Sequence, residues 1–172
     1  MRTSLPLQTT NMEKLLTSVY KNRNLTAFLK AFSHIVSILG VLLFAFDLAV
    51  LTFLLKRYLV AALVAVSAFV GYVLVTLMRR LVNAPRPYEL YSFYEVRPKG
   101  KVGNSFPSRH AYSALAIATL TFAVSHILAA VFIVLSLLIC VCRVLLGIHF
   151  IRDVLAGAAI GLAAGIIGLL MI

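Results

Sequence analysis

Apolar residues in this chain fall into long, nearly unbroken blocks, separated by short clusters of basic and polar residues. One block runs from about Ala31 to Leu55 and stops at Lys56-Arg57. Another runs from about Tyr58 to Met78 and stops at Arg79-Arg80. After a hydrophilic stretch over 83–106, apolar sequence resumes at Ala111 and continues for 36 residues to Leu146. A single helix of that length would reach about 54 Å at ~1.5 Å per residue, well beyond a hydrocarbon core of ~30 Å. Ser125-His126 divides it into two spans, 107–124 and 127–146. A last block runs from about His149 to the C-terminus. The pattern predicts an all-α integral membrane protein with five transmembrane helices in a compact bundle. Ahead of them, Met12, Leu15, Leu16, Val19 and Tyr20 share one face of a helix within the otherwise polar residues 1–24. That spacing predicts an N-terminal amphipathic helix lying in the membrane interface. The expected organisation is an interfacial segment over 1–24 and a transmembrane domain over 25–172. The loop 83–106, with Tyr88, Tyr91, Phe93 and Tyr94 suited to the headgroup layer, is expected to act as an interfacial lid.

Composition strengthens this class assignment. Hydrophobic residues make up 62% of the 172 positions and charged residues 12%, against roughly half and a quarter in soluble domains. The net charge of +11 sits in short segments flanking the spans, which points to anionic headgroups and a phosphate ligand and away from nucleic acid. Cys140 and Cys142 lie two apart within an apolar run, so on a helix they point apart and form no disulfide.

Nine of the sixteen basic residues lie between Arg79 and Arg152, and four of them anchor three polar blocks at the ends of apolar spans. These are Arg79-x6-Arg86-Pro87, Pro107-Ser108-Arg109-His110, and Arg143-x5-His149-x3-Asp153. With five crossings, all three meet on one side of the membrane, together with the N-terminus. Fourteen of the sixteen basic residues share that side. Setting aside Arg79, Arg86, Arg109 and Arg143 leaves ten against two, and the positive-inside rule then places the site on the cytoplasmic face of a bacterial or archaeal cytoplasmic membrane.

Arginine is costly near a bilayer core unless an anion holds it there, and its planar fork matches phosphate oxygens bidentately. Arg79 and Arg86 bracket the close of the second span. Ser108 follows Pro107 at the start of the third, where backbone N–H groups favour anions, and its hydroxyl adds a donor. His149 and Asp153, four apart, are expected to stack on one helical face, the carboxylate fixing the imidazole tautomer and leaving the other nitrogen free to attack. Gly147 allows a sharp turn just before them, and Arg143 reaches the same pocket. His110 is the imidazole available to protonate a departing oxygen. A metal site built from His110, His149 and Asp153 is the rival reading, but several arginines in one pocket repel a dication. No metal or other cofactor is expected.

The three blocks, in this order and spacing, resemble the signature of the type 2 phosphatidic acid phosphatase family, membrane lipid phosphatases related in fold to vanadium haloperoxidases. The family pattern reads Lys-x6-Arg-Pro, Pro-Ser-Gly-His and Ser-Arg-x5-His-x3-Asp. The resemblance spans about 75 residues from Arg79 to Asp153. It implies that His149 is the nucleophile, forming a phosphohistidine, with Asp153 as its partner and His110 as the leaving-group acid. It also implies that Arg79, Arg86, Ser108, Arg109 and Arg143 hold the phosphate. Three positions depart from the pattern: Arg79 stands for lysine, Arg109 for glycine and Cys142 for serine. Many relatives have six helices, where this chain shows five and an N-terminal segment.

The function expected is hydrolysis of a phosphomonoester or diphosphate on a lipid drawn from the bilayer. Candidates are a polyprenyl mono- or diphosphate, phosphatidylglycerophosphate, phosphatidate or a lipid A phosphate. Transfer of phosphate to another lipid, and non-catalytic carriage of a lipid phosphate, are the alternatives. Asp47, within the first span, is expected either to pair structurally or to line a substrate path. Gly157, Gly161 and Gly165 recur every four residues, a spacing for close helix approach within the bundle.

Overall fold

The computed structural model describes residues 7–91 and 102–172, with the side chains of residues 7–10 left aside. Within them every regular element is a helix. Helix α1 covers Leu7–Lys21 and α2 covers Arg23–Ala49, continuing as a π-helical segment, Val50–Leu54. The α3 helix covers Tyr58–Val82, and α4 is a single turn, Pro87–Leu90. Then come α5 (Arg109–Leu120, ending in a 3-10 turn, Thr121–Ala123), α6 (His126–Leu145) and α7 (Ile151–Leu170). The proposed division of the long apolar run holds: Ser125 caps α6, its side chain accepting from Leu128 N.

By length and composition four helical stretches are able to cross a membrane: Arg23–Leu54, Tyr58–Leu90, His126–Leu145 and Ile151–Leu170. Large apolar side chains such as Phe53, Leu59, Phe69 and Leu81 point outward, as a lipid-facing surface requires. The molecule is therefore an integral membrane protein. The remaining predicted span is shorter than expected: α5 has 12 residues, or about 18 Å of helix. It runs through the middle of the bundle, packed against α2, α3, α6 and α7.

Glycines seat α5 against α7. A Cβ on Gly157 would strike the carbonyl of Ser108, one on Gly161 the carbonyl of Tyr112, and one on Gly165 the side chain of Thr119. The four-residue glycine repeat therefore brings the start of α5 onto the start of α7. On α3, Gly71 makes room for Tyr112, whose hydroxyl donates to Ala68 O at 2.7 Å.

Helix α1 forms within the N-terminal segment, and protein covers part of the predicted apolar face while Leu15 stays exposed. Leu16 is buried against Tyr88 and Tyr91, with Phe150 alongside. Val19 packs with Leu29, Cys142 and Leu146, and the Tyr20 hydroxyl donates to Leu146 O at 3.0 Å. Of the expected lid, residues 92–101, including Phe93 and Tyr94, lie outside the described residues. Asp47 is buried and accepts a 2.6 Å hydrogen bond from Thr121 Oγ1, which ties α2 to the far end of α5.

Candidate active site

The C-terminal ends of α3 and α6 and the N-terminal ends of α4, α5 and α7 converge at one end of the bundle. They enclose a cavity of about 460 Å³. Five arginines line it, Arg79, Arg80, Arg86, Arg109 and Arg143, together with His110 and His149. All three sequence blocks thus contribute side chains to one space. Arg80, the neighbour of Arg79 in the chain, joins them.

Each arginine is placed by a specific backbone device. Arg79 sits in the last turn of α3, which ends at Asn83 in a left-handed conformation (φ 43°). It is buried and donates through Nη1 to Pro107 O at 2.9 Å. This bond ties α3 to the entry of α5. Arg86 precedes α4 and donates through Nε to Gly103 O at 3.0 Å. Glu89 then clasps both strands of that loop at its base: Oε1 accepts from Arg86 N at 3.2 Å and from Gly103 N at 2.8 Å. Arg143 stands at the end of α6, and its buried Nε has no hydrogen-bond partner among the described residues. A buried guanidinium N–H without an acceptor is costly unless a ligand supplies one.

His149 lies in the turn between α6 and α7, made possible by Gly147 at φ 59°. It is buried, and so is Asp153. The sequence reading places both on one helical face, but α7 begins only at Ile151, so stacking at helical spacing does not apply. His149 Nδ1 is 3.8 Å from Asp153 Oδ2, too long for a direct hydrogen bond. Ser105 closes the gap: its hydroxyl donates to Asp153 Oδ2 at 2.5 Å and lies 3.2 Å from His149 Nδ1. With the hydroxyl proton on the carboxylate, Oγ accepts from Nδ1–H, which leaves Nε2 as the basic nitrogen. Asp153 Oδ2 also accepts from Phe150 N at 3.0 Å, so one carboxylate caps α7 and orients the histidine. Burial lowers the pKa of His149 from its ordinary value; Arg86 and Arg79 push the same way and Asp153 opposes them. The ring is thereby kept neutral, the form that can attack.

Ser108 is not in the cavity wall. It is fully buried as the N-cap of α5, with Oγ accepting from Ala111 N at 3.4 Å and its own N–H donating to Asp153 O at 2.8 Å. Its hydroxyl is used by the helix end rather than presented to a ligand, while the amides of Arg109 and His110 stay in the first turn without intrahelical partners. Arg109 turns its guanidinium toward α3, donating from Nη1 to Tyr72 Oη at 3.4 Å. His110 is exposed to the cavity. Among the described residues, no three His, Cys, Asp or Glu side chains group as a metal site.

Comparison with known proteins bears on the same stretch of chain. Residues 58–172, which carry all three blocks, match the PAP2 superfamily. The chain belongs to the PAP2 superfamily. Among curated PAP2-like relatives, the lipid A 1-phosphatase of Porphyromonas gingivalis is 35% identical over 102 residues, 54% of this chain and 21% of that protein. The decaprenylphosphoryl-5-phosphoribose phosphatase of Mycobacterium tuberculosis is 33% identical over 112 residues, 65% of this chain and 59% of that protein. The matches thus span about a fifth and three fifths of those relatives' lengths. LpxE from Aquifex aeolicus superposes with a TM-score of 0.68 at 28% identity, covering 91% of this chain and 93% of that one. A PAP2-type phosphatidylglycerolphosphate phosphatase from Bacillus subtilis gives 0.75 at 20% identity, covering 98% and 87%, a likeness of fold.

Sequence reasoning missed Ser105, which lies outside the three PAP2 blocks. The one available signal is its place two residues before Pro107, at the mouth of the second block.

Proposed function

We propose that this protein is a membrane lipid phosphatase that works through a phosphohistidine and needs no metal. The supporting observation is a histidine, tied at Nδ1 to the Ser105–Asp153 pair, in a cavity lined by five arginines. Arg79, Arg86 and Arg143 hold the phosphoryl oxygens, and the first-turn amides of α5, ordered by Ser108, add donors. Arg109 stands at the edge of this set, its guanidinium turned toward Tyr72, where it adds phosphate-binding charge on the lipid side of the cavity. The Nε2 lone pair of His149 attacks phosphorus in line with the scissile bond, and His110 protonates the departing oxygen. Water then attacks the phosphohistidine and releases inorganic phosphate. Fixed cations around a phosphoryl group lower this barrier by positioning and charge stabilisation, without covalent help from other groups. The same cations favour an anion over a dication.

The substrate class is an amphiphile bearing a phosphomonoester or diphosphate; the curated relatives are named as a lipid A 1-phosphatase and a decaprenylphosphoryl-5-phosphoribose phosphatase. In this reading α5 completes five membrane crossings, and the site faces the cytoplasm by the positive-inside rule, since the sequence assigns fourteen of the sixteen basic residues to its side of the membrane.

The test is phosphate release from a panel of lipid phosphates by the purified protein, with and without chelator. Release is expected to persist in chelator and to fall by about 10⁴-fold or more in folded His149→Ala. Activity retained without His149 would overturn the phosphohistidine route. Strict loss with chelator would overturn the metal-free one.

A further inference from the structure

A second cavity, about 280 Å³, lies beside the first, between α2, α5 and α6. Its walls are mainly apolar, with Val36, Gly40, Ile117, Phe132 and Ile139 among them. Arg109 and His110 line both cavities. They stand where a lipid with its tail in the apolar groove and its terminal phosphate among the arginines would pass from one to the other. The atoms at that crossing are those on the lipid side of the scissile bond.

Arg109 is held at this crossing. Its guanidinium bonds to the Tyr72 hydroxyl at 3.4 Å and lies 6.0 Å from the centre of that ring, and Tyr72 itself lines the groove. A guanidinium carries five N–H donors, and the Tyr72 contact is the one hydrogen bond it makes among the described residues. A full positive charge beside an apolar groove favours an anionic partner. An alkyl monophosphate has only a neutral ester oxygen to offer there. A diphosphate places its inner phosphoryl group there instead.

We propose that Arg109, positioned by Tyr72, is a specificity subsite for the inner phosphoryl group of a lipid diphosphate. The proposal rests on the phosphatase reading above. The terminal phosphoryl group would pass to His149 Nε2 as the bond from terminal phosphorus to bridging oxygen breaks. The electron pair stays on the bridging oxygen, which becomes part of the retained phosphate. Water then cleaves the phosphohistidine, so one diphosphate and one water give a lipid monophosphate and inorganic phosphate. A phosphate leaving group ionises near pH 6, far below an alcohol, so it leaves without full protonation and gains from a nearby cation. The diphosphate reaction therefore leans on Arg109 and the monophosphate reaction on His110.

The experiment measures kcat/KM of the full chain in detergent for an isoprenyl diphosphate and the isoprenyl monophosphate with the same tail. Arg109→Gly and Arg109→Gln are each expected to lower the diphosphate-to-monophosphate ratio roughly tenfold or more. Arg109→Lys keeps part of it, and Tyr72→Phe lowers it less. His110→Ala shifts the ratio in the opposite direction. Because each ratio is measured on one preparation, partial loss of folded protein cancels. A ratio unchanged in both Arg109→Gly and Arg109→Gln, or a wild type indifferent to the second phosphate, overturns the proposal. Failure of the underlying reading looks different: the wild type releases phosphate from neither lipid, or His149→Ala still releases it.

Discussion

Between His149 and Asp153 stands the hydroxyl of Ser105, and in the proposed reaction this would make catalysis depend on a residue with no reactive role of its own. Ser105→Ala would leave the Asp153 carboxylate short of a donor and the imidazole without its relay. The unsatisfied buried carboxylate costs roughly 1–3 kcal/mol. If that is felt in orienting the nucleophile, kcat falls about ten- to hundredfold while KM stays near its original value. Steady-state kinetics beside an unfolding scan checks this: a wild-type kcat in the variant would remove Ser105 from the relay. That Arg79, Arg86, Arg143, His110 and His149 gather around one cavity was legible because their spacing at the ends of apolar spans is distinctive. Ser105 was not, since a loop serine carries no such signal and only the fold brings it across 44 and 48 residues to its partners. The His149–Asp153 pairing was legible as a partnership and misjudged as a contact, because the helix starts two residues after the histidine.

At the scale of elements, the contact between α5 and α7 fixes the distance between the second and third blocks. Gly157→Val would force a side chain into the Ser108 carbonyl and separate Ser108 N from Asp153 O. Overpacking of this kind costs typically 1–3 kcal/mol, so the variant is expected to unfold at lower temperature and turn over more slowly. Gly40→Ala, with nothing within 4 Å of the added carbon, is expected to leave the unfolding temperature in place. Thermal unfolding in detergent compares the two, and equal stability would mean that the helices part without cost. The glycine spacing was legible as close approach, but not which helix approaches. The amphipathic face of α1 was equally legible, yet the same apolar stripe serves lipid or protein. Tyr88, Tyr91 and Phe150, distant in sequence, cover Leu16 with protein, whereas Leu15 is left exposed. The shortness of α5 was hidden because the 3-10 turn that ends it, Thr121–Ala123, sits within one apolar run.

For the whole molecule, the five crossings proposed above would put the two ends of the chain on opposite sides of the membrane. With the proposed cytoplasmic site, the N-terminus would lie inside and the C-terminus outside. Reporters active on one side only, fused to each end in turn, are expected to give opposite answers. The same answer from both would mean that α5 does not cross, and the reverse order would turn the site outward. The order of spans and their shared polar end came from hydropathy alone, whereas the cavity itself needed the three-dimensional path of five helices. The Glu89 carboxylate joins Arg86 N to Gly103 N, so one side chain ties the two ends of the loop together. A change at Glu89 would therefore be felt at once in the setting of Arg86 and in the rim of the cavity, and a single substitution could loosen both.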